Sequence, residues 1–472
     1  MPNQNSAFRA RAPRLLPLAA CLATILGISA AHARDSVEPA HSSTAHQTSG
    51  TGRDQKPTLS HTVNTCVDDL SQNSLRTLVA SAGEGDTIDL AHLPMGCSKI
   101  TLDSTHVPPY IEVSQNKLYF EGPGKELLTI DGNGQTSILR HVGIGELHVS
   151  GMTVANGKYM NDANPRGGCI FSAGHVILTD STVTGCAVSG SGPTIPGGGG
   201  VYAAGYLTMK ESSVSNSSVH SFGLATAWGG GIAAQHMDLA DSTLAGNYAT
   251  STYGSLGGGA YLIGSYAHIS GSTIANNEAT GGGGFFASAS GNAVIRIVNS
   301  TISGNRANKF AGLIGPAGLE IDNSTIAFNQ EKFATGAGGI YAGGTLQLRS
   351  SIVADNRGPQ GPSDLGGSST AVVSGDHDLI TSVGTGLTLM MNPVTSCPHL
   401  LPLANNGGPT LTHDLMQDSP AIDAGSNPHS LMLDQTQGPR SLAITDIGSV
   451  EWNGNSDNDR IAIDGFDGLC DQ

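Results

Sequence analysis

Ser300-Thr301-Ile302-Ser303-Gly304-Asn305 is one copy of a six-residue stretch that this 472-residue chain writes seven times between Ser181 and Asn356. The other copies are Ser181–Cys186 (STVTGC), Ser212–Ser217 (SSVSNS), Ser242–Asn247 (STLAGN), Ser272–Asn277 (STIANN), Ser324–Asn329 (STIAFN) and Ser351–Asn356 (SIVADN). Their starts lie 31, 30, 30, 28, 24 and 27 residues apart, with glycine-rich runs between most copies. A period of that size marks a solenoid whose units bury their apolar faces only against their neighbours. Working outward from the hexad, one unit reads Gly198-Gly199-Gly200-Val201-Tyr202, then Tyr206-Leu207-Thr208-Met209-Lys210, then the next hexad. That is a glycine corner and short alternating strands rich in β-branched and small residues, with no 3.6-residue apolar spacing. Three short strands in about 28 residues predict an all-β fold, a right-handed parallel β-helix with coils stacked roughly 4.8 Å apart. The competing reading is an antiparallel sandwich or a propeller, but propeller blades need about 40 residues.

The hexads and glycines have structural explanations. Asn247, Asn277, Asn305, Asn329 and Asn356 occupy one hexad position, so stacking in register predicts an amide ladder along the axis. Gly229–Gly231, Gly257–Gly259 and Gly281–Gly284 resemble phosphate-binding loops in composition only. No Lys-Ser/Thr pair follows them, so we read them as corner glycines that supply positive φ and close backbone approach.

At the amino end Arg9, Arg11 and Arg14 precede an apolar run from Leu15 to Ala31, then Ala31-His32-Ala33. This predicts a signal peptide over 1–33 and export from a bacterial cell, to a secreted or cell-surface location. Leu18-Ala19-Ala20-Cys21 offers a competing lipobox. The Ser-, Thr- and His-rich stretch 34–62, with His41, His46 and His61, predicts a disordered linker. The folded chain is expected from Val63, with 63–117 as an amino-terminal cap and first strands, 118–392 as β-helix repeats, 393–452 as a β-rich carboxyl-terminal capping region and 453–472 as an acidic tail. Asn73–Leu78 is the one short helical candidate, suited to cover the end strands of a solenoid. No segment beyond the amino end is long and apolar enough to predict a membrane span.

The chain carries 22 Lys and Arg against 38 Asp and Glu, a net charge of −16. Loss of Arg9, Arg11 and Arg14 would leave 19 against 38, or −19. That balance argues against nucleic acid or anionic lipid as a partner and is compatible with Ca²⁺ as a cofactor. We expect no dedicated metal site; the acidic tail, with Asp457, Asp459, Asp464, Asp467 and Asp471, does not fit a twelve-residue calcium loop. Six cysteines would remain after export. They fall in neighbour pairs, Cys66 with Cys97, Cys169 with Cys186 and Cys397 with Cys470, although six thiols allow fifteen pairings.

Asn73–Val79 followed by Gly83–Asp89 resembles the amino-terminal cap of secreted bacterial β-helix proteins, with Asn73 and Thr77 standing where those have Cys and Glu. Gly122-Pro123-Gly124 and Leu128-Thr129-Ile130-Asp131-Gly132 resemble the first coil of the same group, and the hexads are similar to polymorphic outer-membrane-protein repeats. Leu403–His413, Ser419–Gly425, Asp434-Gln435 with Gly438-Pro439-Arg440, and Asp446–Glu451 together resemble the choice-of-anchor Q domain. The resemblance implies a surface or secreted β-helix, often followed by an anchor.

Catalysis on polysaccharides would need clustered carboxylates, or acids beside a basic residue that takes a proton. The sequence offers Asp238 and Asp241 on one coil, Asp322 further on, and Asp376-His377-Asp378 after the last hexad. The last is the best local constellation, since two carboxylates flanking an imidazole would favour its charged form and could hold a metal. No pectate lyase or polygalacturonase signature is present. We therefore expect a monomeric protein that recognises an extended extracellular glycan without cleaving it, or serves an adhesive role, with a polysaccharide lyase or hydrolase as the alternative. Tyr202, Tyr206, Tyr261 and Tyr341, which recur beside the glycine corners, are the expected stacking platforms. The acidic balance predicts repulsion of polyuronates unless Ca²⁺ bridges them.

Overall fold

The computed structural model describes residues 58–288, 293–316, 318–333 and 336–454. The expected signal peptide, nearly all of the linker and of the acidic tail, and Cys470 lie outside the described residues. The fold is a parallel β-solenoid of three sheets. A sheet of 20 strands wraps two adjoining columns, and two further sheets hold 11 strands each. One coil shows the plan: Ile170–Ser172 and His175–Thr179 belong to the long sheet, Thr182–Thr184 to the hexad sheet, and Ala187–Gly190 to the third. From Val201 to Ser270 the two columns fuse into single strands of 9 to 11 residues, with a register shift where they meet. Among the named strands the one antiparallel pairing joins Arg357–Gly358 to Gly361–Pro362.

The hexad builds this geometry residue by residue. Its third position points inward, and eleven aliphatic residues from Ile100 to Ile380 stack there, one per coil. All are buried, each contributing roughly 1.5–3 kcal/mol of apolar burial. The strand is bent off at both ends by left-handed residues. The residue before each hexad has positive φ, from Asp180 (43°) to His377 (52°), and so does the fifth position, from Gly185 (66°) to Asp355 (57°). That fifth position, which reads as variable, alternates for a steric reason. A Cβ on Gly185, Gly246 or Gly304 would strike the side-chain oxygen of Asn156, Asn216 or Asn276 one coil earlier. Asn and Gly thus take turns, both tolerating the left-handed region.

The asparagines form the amide ladder. Asn305 Oδ1 accepts from the backbone N–H and the Nδ2 of Asn277, at 3.0 Å each, while its own Nδ2 donates to Ile274 O and to Asn329 Oδ1 at 2.9 Å. The pattern repeats from Asn247 to Asn356 and ends on the Asp364 carboxylate. The glycine runs serve the same device, because a Cβ on Gly231, Gly259, Gly284 or Gly339 would meet the ladder amide at 2.8–2.9 Å.

The amino end is covered by the helix Leu75–Ser81, capped by Ser74 and burying Leu75, Leu78 and Val79. Ordered structure starts before the expected Val63: Ser60–Thr62 is already a strand, paired with Thr87–Asp89 and fastened by His61 Nε2 on Asp86 at 2.8 Å. Disulfides join Cys66 to Cys97 and Cys169 to Cys186. Cys397 is disulfide-bonded.

The carboxyl-terminal segment lies along the flank of the solenoid. Residues 393–454 carry single bridges and no named strand, and run over the outer face of the hexad sheet. Thr273 donates to Leu411 O, Thr301 to Gln435, and Ser303 hydrogen-bonds His413 Nε2 at 2.8 Å. Leu400, Leu415, Ala421 and Ile447 then bury Ala327, Ile352, Ala354 and Leu379 in a second core.

Candidate functional site

The bends that shape each coil also decide which side chains leave it. The triplet Asp376-His377-Asp378 does not converge. It is an eighth hexad boundary, with Asp376 ending a long-sheet strand and facing out, His377 taking the left-handed corner, and Asp378 standing where earlier copies have Ser. Asp378 is 2% exposed and its Oδ1 accepts from Ser351 N at 3.0 Å, closing a second ladder in which each hexad serine Oγ accepts from the backbone N–H one coil earlier. Burial, reinforced by the neighbouring Asp376 and Asp322 carboxylates, pushes the Asp378 carboxyl up to about 8. His377 Nδ1 is 3.6 Å from Asp376 alone. The 27-residue step from Ser351 was the sequence signal for this frame. Asp322 is buried and held by Arg349 and by His429 Nε2 at 2.6 Å, and Asp241 sits at a corner where burial raises its carboxyl.

The expected tyrosines separate. Tyr202 and Tyr261 are 7% and 4% exposed, so they offer no face to a ligand. Both belong to an aromatic column on the outside of the first long-sheet column, roofed by neighbouring chain: Trp228 stacks on Tyr261 at 4.5 Å, Phe286 at 5.5 Å, and Arg166 lies over Tyr202. Tyr341 is half-buried against Phe310. Tyr206 is exposed, on the second column.

Around Tyr206 the second column presents a continuous polar and aromatic strip. One row runs Lys117, Glu146, His175, Tyr206, His236, Tyr266, one residue per coil. The neighbouring row runs Tyr119, His148, Ile177, Thr208, Asp238, His268, Arg296, Glu320. The register shift at the column junction brings the rings together: Tyr206 lies 4.5 Å from His236 and 6.4 Å from Tyr266, centroid to centroid. Tyr206 and Tyr266 remain 43% and 36% exposed. Polar anchors flank them. His175 Nδ1 accepts from Tyr206 N, His268 Nδ1 is 3.6 Å from Asp238, and Arg296 clasps Glu320 at 2.6 Å. The Lys117 ammonium holds Glu146 down at about 2. Tyr266, His175, His236, His268 and Arg296 were missed by reading near the glycine corners; counting alternate residues back from each hexad would have found them. Among the described residues, no group of three or more His, Cys, Asp or Glu side chains is placed to hold a metal ion. No described helix is long and apolar enough to cross a membrane.

No family model matches the chain, and no curated protein matches it. Among solved structures it is similar to a crystal structure of pectate lyase Pel9A, with 13% identity and a TM-score of 0.38, covering 85% of this chain and 98% of that one.

Proposed function

We propose that this protein is exported and recognises an extended extracellular glycan through the strip centred on Tyr206, His236 and Tyr266. The observation that carries the reading is the pair of exposed tyrosines on one lateral face with hydrogen-bonding side chains on both sides of them. Aromatic faces stack on the apolar faces of sugar rings, and an open strip spanning several coils suits a linear chain. Two intramolecular disulfides fit an oxidising compartment.

Glycoside hydrolysis is disfavoured by spacing. The two carboxylates on the hexad-side row, Asp238 and Glu320, stand three coils apart, about 14 Å, whereas hydrolases place theirs within about 9.5 Å. A second reading, elimination at a uronate, draws on Asp238, His268 and Arg296 standing on successive coils. Retention of the protein on immobilised neutral and acidic polysaccharides, with and without Ca²⁺, tests the proposal. The Tyr206→Ala/Tyr266→Ala pair should weaken retention about tenfold or more while leaving the unfolding midpoint near wild type. Release of unsaturated oligosaccharides, abolished by His268→Ala, would replace binding with the lyase reading.

A further inference from the structure

We propose that the strip selects linear polyanionic glycans, carboxylated or sulfated, and takes hold of them when its imidazoles carry charge. This rests on the reading of the strip as a glycan-binding face. Four histidines face outward there on four of five successive coils: His148, His175, His236 and His268. Imidazole is the side chain that gains a positive charge between neutral and mildly acidic pH. The fixed charges of the two rows are Lys117 and Arg296 against Glu146, Asp238 and Glu320, a balance of minus one. Imidazolium ions at His148, His236 and His268 turn it to plus two.

The groups facing each imidazole are set by register. His148 lies against Tyr119, stacked at 4.3 Å, and Glu146, at 3.0 Å from Nε2, with Ile177 on the next coil. His175 sits between Glu146 and Tyr206, and because its Nδ1 accepts from Tyr206 N, its Nε2 already carries the ring hydrogen and the ring stays neutral while that bond holds. His236 stands between Tyr206 and Tyr266, where burial and His175 hold it below the usual imidazole range. His268 lies between Asp238 and Arg296. Protonation at His148 and His268 relieves the local carboxylates, and protonation at His236 adds positive charge beside the two stacking tyrosines.

The whole chain moves in the same direction. Its 38 acids exceed its 22 bases by 16, and it carries 16 histidines, so the long-range repulsion of a polyanion fades as they charge.

The test uses the full chain on immobilised polygalacturonate, dextran sulfate and an uncharged β-glucan at low salt. Retention on at least one polyanion should rise about tenfold or more between about pH 8 and about pH 5 and fall with added salt, while β-glucan retention changes little. Comparing the two polyanions tells carboxylate from sulfate. His148→Gln/His268→Gln should remove most of the pH-dependent gain with an unchanged unfolding midpoint. If that variant keeps the gain, or if β-glucan is retained at both pH values and neither polyanion is retained at about pH 5, this inference falls and the glycan-binding reading stands. If no glycan is retained at either pH, that reading falls too.

Discussion

Asn305 shows how much one side chain can carry in a repeating structure. It makes four hydrogen bonds in a dry interior, and Asn305→Ala would take the acceptor from the Asn277 backbone N–H and remove one of the two donors to Asn329 Oδ1. We expect a loss of about 3 kcal/mol by denaturant titration, with unchanged strand content by circular dichroism. Asn305→Asp should be worse, since it sets a buried carboxylate against the acceptors Ile274 O and Asn329 Oδ1. Asp378 is the informative counterpart. Its carboxyl rises from the ordinary 3.8 to about 8 in the fold, so folding favours the protonated form. Its contribution is complete below about pH 4 and is lost as pH rises through about 8. Asp378→Asn keeps an acceptor for Ser351 N and should stabilise the protein at about pH 9 by on the order of 2 kcal/mol, with little change at about pH 4. A variant less stable than wild type at both pH values would show that the carboxylate is the required form.

Among the elements, the carboxyl-terminal segment is held by polar groups whose state depends on pH. His413 is buried, donates from Nδ1 to Leu401 O, pairs with Ser303 through Nε2, and packs against Phe328, itself at φ 58°. Burial lowers this imidazole to about 4. A depressed folded value means that the contribution is present above the ordinary imidazole range, near 6.5, and is lost as pH falls through about 4. Hydrogen exchange of residues 400–450 should therefore accelerate at about pH 4 before that of the long sheet does. Uniform loss of protection across both would contradict a local release.

At the scale of the whole molecule, each coil touches only its neighbours, so one coil should be removable in register. Deleting residues 212–241 joins the corner residue Glu211 to the hexad that starts at Ser242, and spares the flank contacts at Gly271 and Thr273. The shortened chain should fold cooperatively, shorter by about 4.8 Å along its axis by small-angle scattering. An aggregated or unfolded product would show that the stack is not nearest-neighbour in its energetics. The same deletion removes His236 and Asp238, so glycan retention should fall.

The period of the hexad was enough to call the solenoid, the inward aliphatic column and the position of the amide ladder, because each depends only on a local pattern repeated at a near-constant step. A short helix was legible over Asn73–Leu78; the structure starts it at Leu75, with Ser74 as its cap, and carries it on to Ser81. The aromatic faces were not. Alternation along a strand says that Tyr202, Tyr206 and Tyr261 all point away from the interior, and it is silent on what lies over them. Trp228, brought across by the chain between coils, roofs Tyr261, and no comparable cover reaches Tyr206. Asp376 and Asp378 looked like partners because they are two residues apart. A left-handed corner at His377 turns one outward and one into the core, and that choice is made by the stacked coils above and below it.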